Sequence, residues 1–204
     1  MNKPQAYKFS AATAMLGCVA VLASDVIGIM VHEKHDPISD TISMLAIGKY
    51  GWIQDTGLDL LGLGYLALAA GCFTRKRSGA RWMVIVVITA LIGTDIILIA
   101  EHNQYAGRPG TNIHMTLVYI LTGLFLILNV LGSFGPDGAR LIPRHFSAWM
   151  AVLWLLLAPA LPFIPDGWNG AYERLVGTLL VIWPAVVAWR LYRLAEGFLA
   201  PGRG

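Results

Sequence analysis

The chain has 204 residues, 56% of them hydrophobic and only 13% charged, with a formal net charge of +3. Soluble domains carry about 25% charged residues, so this composition excludes a water-soluble globule and makes lipid the solvent. A pI near 9.0 would suggest nucleic acid in a soluble protein. No phosphate-cradling loop or nucleic-acid motif accompanies it here, so Lys and Arg are read as markers of cytoplasmic loops, with no nucleic-acid partner.

Six apolar runs reach the roughly 20 residues that a helical span needs. They cover about 10–31, 53–74, 83–101, 113–133, 146–165 and 175–195. The expected fold is all-α: one polytopic domain over 1–204, a bundle of six transmembrane helices with a short interfacial helix between the first two. Cys18 and Cys72 fall within the apolar runs and are expected as free thiols.

The first connection is the polar interruption of the chain. Asp36-Pro37 reads as a helix start, a side-chain cap followed by a proline where no amide donor is needed. Ile38, Ile42 and Leu45 then fall on one face, with Asp36, Ser39, Asp40 and Ser43 on the other. That pattern predicts a short amphipathic helix at the membrane surface, ended by Gly48, Tyr50 and Gly51.

The basic residues give the orientation. Of the 15 Lys and Arg, only Lys34, Lys49, Arg108 and Arg174 fall on the first, third and fifth connections. Both termini are therefore expected in the cytoplasm, in a prokaryotic inner membrane. Trp52 and Trp168 would mark the outer interface, and Trp82 and Trp149 the inner one. Acids and histidines then concentrate in the outer half. Asp25, Asp59 and Asp95 each lie seven residues inside an outer boundary, roughly 10 Å deep at 1.5 Å per residue. Carboxylates are costly in lipid, so all three should face the bundle interior. Asp55 and Asp59 share a face at i, i+4, and Asp95 and His102 share one at i, i+7.

Inward-facing acids at one depth on three helices suggest one shared polar pocket open to the outside, and later elements can close it. Arg108 opens a turn leading to His114 in the first turn of the fourth span. Pro159, Pro162 and Pro165 break the outer end of the fifth span and free backbone carbonyls. Glu173-Arg174 opens the sixth, and Arg174 is a natural partner for an outer acid. Gly62, Gly64 and Gly71 would permit close helix packing.

Several chemistries fit these residues. His32, His35, His102 and His114 supply enough nitrogens for zinc or another divalent metal. Ser39, Asp40 and His114 are the parts of a nucleophilic relay, although Ser39 lacks a nucleophile-elbow context and a Ser-Asp pair also serves as a helix cap. Asp59 and Asp95 could work as catalytic or proton-carrying acids, with Asp25, Asp55, Arg108 and Arg174 in support. The leading expectation is a metal-dependent hydrolase or transferase acting on a lipid or lipid-linked substrate. The alternatives are a proton-coupled transporter and a non-catalytic subunit or lipid-binding scaffold of a larger membrane complex. A static hydrogen-bonded network is the plain structural reading of the same acids.

Pro37-Ile-Ser-Asp-Thr-Ile-Ser, Tyr50-Gly-Trp-Ile-Gln with the Gly-rich second span, His114 and Glu173-Arg174 occur in an order that resembles the prokaryotic family catalogued as domain of unknown function 998. The resemblance implies six spans and an integral membrane protein, and carries no activity with it. More faintly, the Ser-Asp element after the first span is similar to the Frag/DRAM/Sfk group of lipid-linked membrane proteins.

Overall fold

The computed structural model describes residues 2–75, 79–103, 113–134 and 141–199. They form α1 (Lys3–Val31), α2 (Ile42–Leu45), α3 (Gly51–Thr74), α4 (Ala80–His102), α5 (Ile113–Ser133), α6 (Arg144–Leu157) and α7 (Asn169–Leu199), with a 3-10 segment, Ala158–Phe163, continuing α6. Six of these helices, α6 being counted with its 3-10 extension, are long and apolar enough to cross a membrane. The protein is an all-helical, multi-pass membrane protein. Arg108 lies outside the described residues.

Local chemistry sets the ends. α1 starts before the apolar run because Asn2 and Gln5 form a reciprocal capping box, with Pro4 in the first turn. At its other end His32 closes the helix, its backbone N–H and Nδ1 lying 3.1 and 3.0 Å from the Gly28 carbonyl. α6 gives way to 3-10 geometry at the expected prolines, and the Tyr172 hydroxyl donates to the Leu157 carbonyl at 3.0 Å. Pro184 interrupts α7 and deprives the Leu180 carbonyl of its helical partner. The Tyr65 hydroxyl replaces it at 2.7 Å, and the Tyr65 ring stacks on Trp183.

α1 lies between α3 and α7; α3 packs on α4, α4 on α5 and α5 on α6. Small residues make the closest of these seams. Gly57, Gly64 and Gly71 recur every two turns along α3 and face Ser24, Ala14 and Ser10 of α1. Gly62 and Gly93 meet back to back between α3 and α4, where a Cβ on either would lie 2.6 Å from the other's carbonyl oxygen. In lipid, such close approach supplies van der Waals contact that the hydrophobic effect does not. Outward faces carry exposed Phe9, Leu16, Val19, Leu155 and Leu156.

Trp52 and Trp168 are exposed at the end that carries residues 32–50, and Trp149 near the opposite end. Trp82 departs from the expected aromatic belt. It is 8% exposed and donates from Nε1 to the Cys72 carbonyl at 3.3 Å, so its indole N–H is satisfied inside the bundle. Cys18 and Cys72 are buried free thiols.

Candidate functional site

The connection between α1 and α3 begins as its sequence suggests. Asp36 Oδ1 accepts the Ile38 N–H at 3.0 Å and Oδ2 accepts the Ser39 hydroxyl at 3.1 Å. These two bonds hold the exposed Asp36 carboxyl below the usual carboxylate range. Asp40 closes the turn, its N–H reaching the Asp36 carbonyl at 2.7 Å and its Oδ2 accepting the Asp36 N–H at 2.9 Å. The expected helix does not continue from Pro37; helical geometry is confined to Ile42–Leu45. A continuing helix would need the Ile42 N–H on the Ile38 carbonyl. Both groups are bonded to α7 instead, Ile42 N–H to Glu173 Oε2 at 2.7 Å and the Ile38 carbonyl to the Ala171 N–H at 2.9 Å. The second bond also satisfies an orphan donor of the α7 amino terminus. Leu45, fully buried, fixes the far end of the connection against Gly28.

Arg174 is the centre of this docking. Nε and Nη2 bind Asp25 Oδ2 and Oδ1 at 3.1 and 3.0 Å. Nη1 donates to the Pro37 and Asp40 carbonyls at 2.8 and 3.0 Å, and Nη2 lies 3.2 Å from His35 Nε2. A guanidinium has five N–H donors, and each has a partner here. Gly170 admits the approach, because a Cβ there would run into the Asp40 carbonyl oxygen and lie 2.8 Å from that of Pro37. Arg174 is therefore the partner of an outer acid, as expected, and its acid is Asp25. Burial of the His35 ring, followed by the Arg174 charge, lowers the His35 pKa from its ordinary 6.5.

Beneath the connection, Ser43 Oγ faces His114 Nε2 at 3.4 Å and bears on Glu173. His114 is buried, and its Nδ1 has no hydrogen-bond partner. Ser39, the serine first assigned to a relay with Asp40 and His114, is spent on Asp36; the serine beside His114 is Ser43, four residues further on.

The four histidines do not form a ligand set. Both ring nitrogens of His32 face carbonyls, of Gly28 and of Ile47 at 3.3 Å. His35 turns to a guanidinium, and His102 Nδ1 lies 2.8 Å from the Leu98 carbonyl. Among the described residues no three His, Cys, Asp or Glu side chains converge as metal donors.

A second polar group lies on the α3–α4 seam. Asp55 Oδ1 accepts from Asn103 Nδ2 at 3.1 Å, and the Glu101 charge bears on both Asp55 and Asp59. Asp59 Oδ1 and Asn103 Oδ1 are buried without hydrogen-bond partners, and Asn103 is 1% exposed. Among the described residues no Lys or Arg pairs with Asp55 or Asp59. Asp95 is buried apart from this group, with Oδ2 also unpartnered. The acids thus divide: Asp25 belongs to the Arg174 clamp, and Asp55 and Asp59 to the seam. Glu173, Ser43 and Asn103 were not among the first site candidates. The signals for them were adjacency to Arg174, the polar face shared with Ser39, and adjacency to His102.

A family model described as Protein of unknown function (DUF998) matches residues 15–190. No curated protein and no solved structure matches the chain.

Proposed function

The chain belongs to the family described as Protein of unknown function (DUF998), and we propose that it binds a membrane lipid through an amine-bearing headgroup at the α3–α4 seam. The carrying observation is the one-sided chemistry of that seam. Asp55, Asp59, Glu101 and Asn103 Oδ1 are acceptors, and the Asn103 amide directs one of its two N–H groups to Asp55. An ammonium brings three donors and no acceptor, which complements such a group. Depth supports the choice. Asp55 and Asp59 lie four and eight residues into α3 from Gly51, roughly 6 and 12 Å along its axis. The interfacial layer is about 6 Å thick on each side of the hydrocarbon. The exposed Trp52, one turn above Asp55, suits that level.

Binding is favoured over hydrolysis or transfer by the state of the other candidates. Arg174 and Asp25 are committed to each other, Ser39 and Asp40 to their own turn, and the histidines to carbonyls, a guanidinium and Ser43. The distribution of Lys and Arg supports an inner-membrane orientation with both termini cytoplasmic and the seam in the outer leaflet.

The test is native mass spectrometry of detergent-purified protein titrated with phosphatidylethanolamine or phosphatidylglycerol. The wild type should retain the ethanolamine lipid preferentially. Asp59→Asn should weaken that binding roughly tenfold to a hundredfold, the worth of a hydrogen bond to a charged group. Asp95→Asn should leave it unchanged. Equal retention of both lipids, or unaltered selectivity in Asp59→Asn, would overturn the reading.

A further inference from the structure

Asn103 ends α4 with its backbone held in the helix, its N–H bonded to the Ala100 carbonyl. Its side chain is held as well. A carboxylate only accepts, so the amide end that lies 3.1 Å from Asp55 Oδ1 is Nδ2. The planar amide then carries Oδ1 away from that contact, in a residue 1% exposed and without a donor for this oxygen. Asp59 Oδ1 is a second buried acceptor without a partner. Glu101 is exposed and Asp55 half-buried, so water can serve their oxygens whatever a headgroup brings. The two orphaned oxygens have no such alternative. Leaving one unmet weakens binding by about tenfold or more.

Charge and donor number can be separated in a headgroup amine. Each N-methyl group replaces one N–H and leaves the positive charge in place. Ethanolamine offers three N–H donors, its monomethyl form two, its dimethyl form one and choline none. The acids and the carboxyl-terminal end of α4 attract all four alike. Resting on the headgroup site described above, we propose that the seam selects lipids by the methylation state of the headgroup amine, with Asn103 as the residue that rejects the dimethyl form. Three donors exceed two orphaned acceptors, so the first methyl group is tolerated. After the second, the remaining N–H goes to the charged Asp59, the stronger acceptor, and Asn103 Oδ1 stays unmet. The third methyl group leaves both oxygens unmet.

The test is native mass spectrometry of detergent-purified protein, titrated with these four lipids carrying the same acyl chains and with phosphatidylglycerol. In the wild type, phosphatidylethanolamine and its monomethyl form should bind alike. The dimethyl form should bind about tenfold more weakly, and phosphatidylcholine about a hundredfold more weakly. Asn103→Leu removes the Oδ1 acceptor, and the half-buried Asp55 takes water in place of the amide. This variant should bind phosphatidylethanolamine more weakly than the wild type does. It should hold the monomethyl and dimethyl forms equally, with phosphatidylcholine still about tenfold weaker. Equal binding of all four lipids by the wild type overturns the proposal, as does an even decline with each methyl group, which bulk alone would give. A step at the second methyl group that persists in Asn103→Leu also overturns it. If the variant does not fold, the wild-type series decides alone. Phosphatidylglycerol bound as well as phosphatidylethanolamine would remove the headgroup site itself, and the selectivity with it. Preference for phosphatidylethanolamine over phosphatidylglycerol without the step overturns the methylation selectivity alone.

Discussion

Replacing Asp25 by Asn removes the counter-charge of Arg174 while keeping one oxygen in place. Two charges about 4 Å apart attract by about 4 kcal/mol at an effective dielectric of 20. The Arg174 and Asp25 side chains are 18% and 21% exposed, so water screens part of that attraction. Loss of the carboxylate also removes its own burial cost. The net coupling should be about 2–3 kcal/mol. Arg174→Gln should cost more than Asp25→Asn, because it also releases the Pro37 and Asp40 carbonyls, each such bond contributing about 1 kcal/mol. Equilibrium unfolding in mixed micelles, followed for wild type, both single variants and the double variant, gives the coupling as a cycle. Additive single costs, with coupling below about 0.5 kcal/mol, would refute the view that this pair clamps the connection to α7.

Three further outcomes follow from the same geometry. Tyr65→Phe leaves the Leu180 carbonyl without its donor and should cost about 1–3 kcal/mol in the same unfolding assay. Gly64→Leu places a side chain where a Cβ would already lie 3.0 Å from Ala14 Cα; overpacking at such a seam should cost at least 1–3 kcal/mol, and an unchanged midpoint would contradict the α1–α3 contact. Ser39→Ala removes a bond confined to an exposed turn, so it should leave lipid selectivity at wild-type level, and loss of selectivity would return Ser39 to the functional site.

Much of the fold was legible because lipid imposes it. Apolar runs of sufficient length had to be helices, and α3, α4 and α5 lie close to the runs read from sequence. Glycine spacing on α3 indicated close packing, and the proline cluster indicated where α6 loses α-helical geometry. The connection after α1 was legible only in part. Its cap chemistry at Asp36 is local and was readable. What ends the helix there is not local: the Ile42 N–H goes to Glu173, 131 residues away, and such tertiary bonds override propensity. The acids show the same limit. Their depth followed from position along each helix, but rotation about the axis decided that Asp25 meets Arg174 while Asp55 meets Asn103. Equal depth alone did not make one pocket.

The claim that the α3–α4 seam holds a headgroup amine can be tested at the level of single carboxylates. Wild-type protein in phosphatidylethanolamine vesicles would be treated with a carbodiimide, which joins an amine to an adjacent carboxylate as an amide, and digested for mass mapping. The expected result is lipid adducts on Asp55, Asp59 or Glu101, suppressed by excess free ethanolamine headgroup analogue and absent in phosphatidylcholine vesicles, whose quaternary amine cannot couple. Adducts spread evenly over exposed acids such as Glu33 and Asp166, with none on the seam, would contradict it.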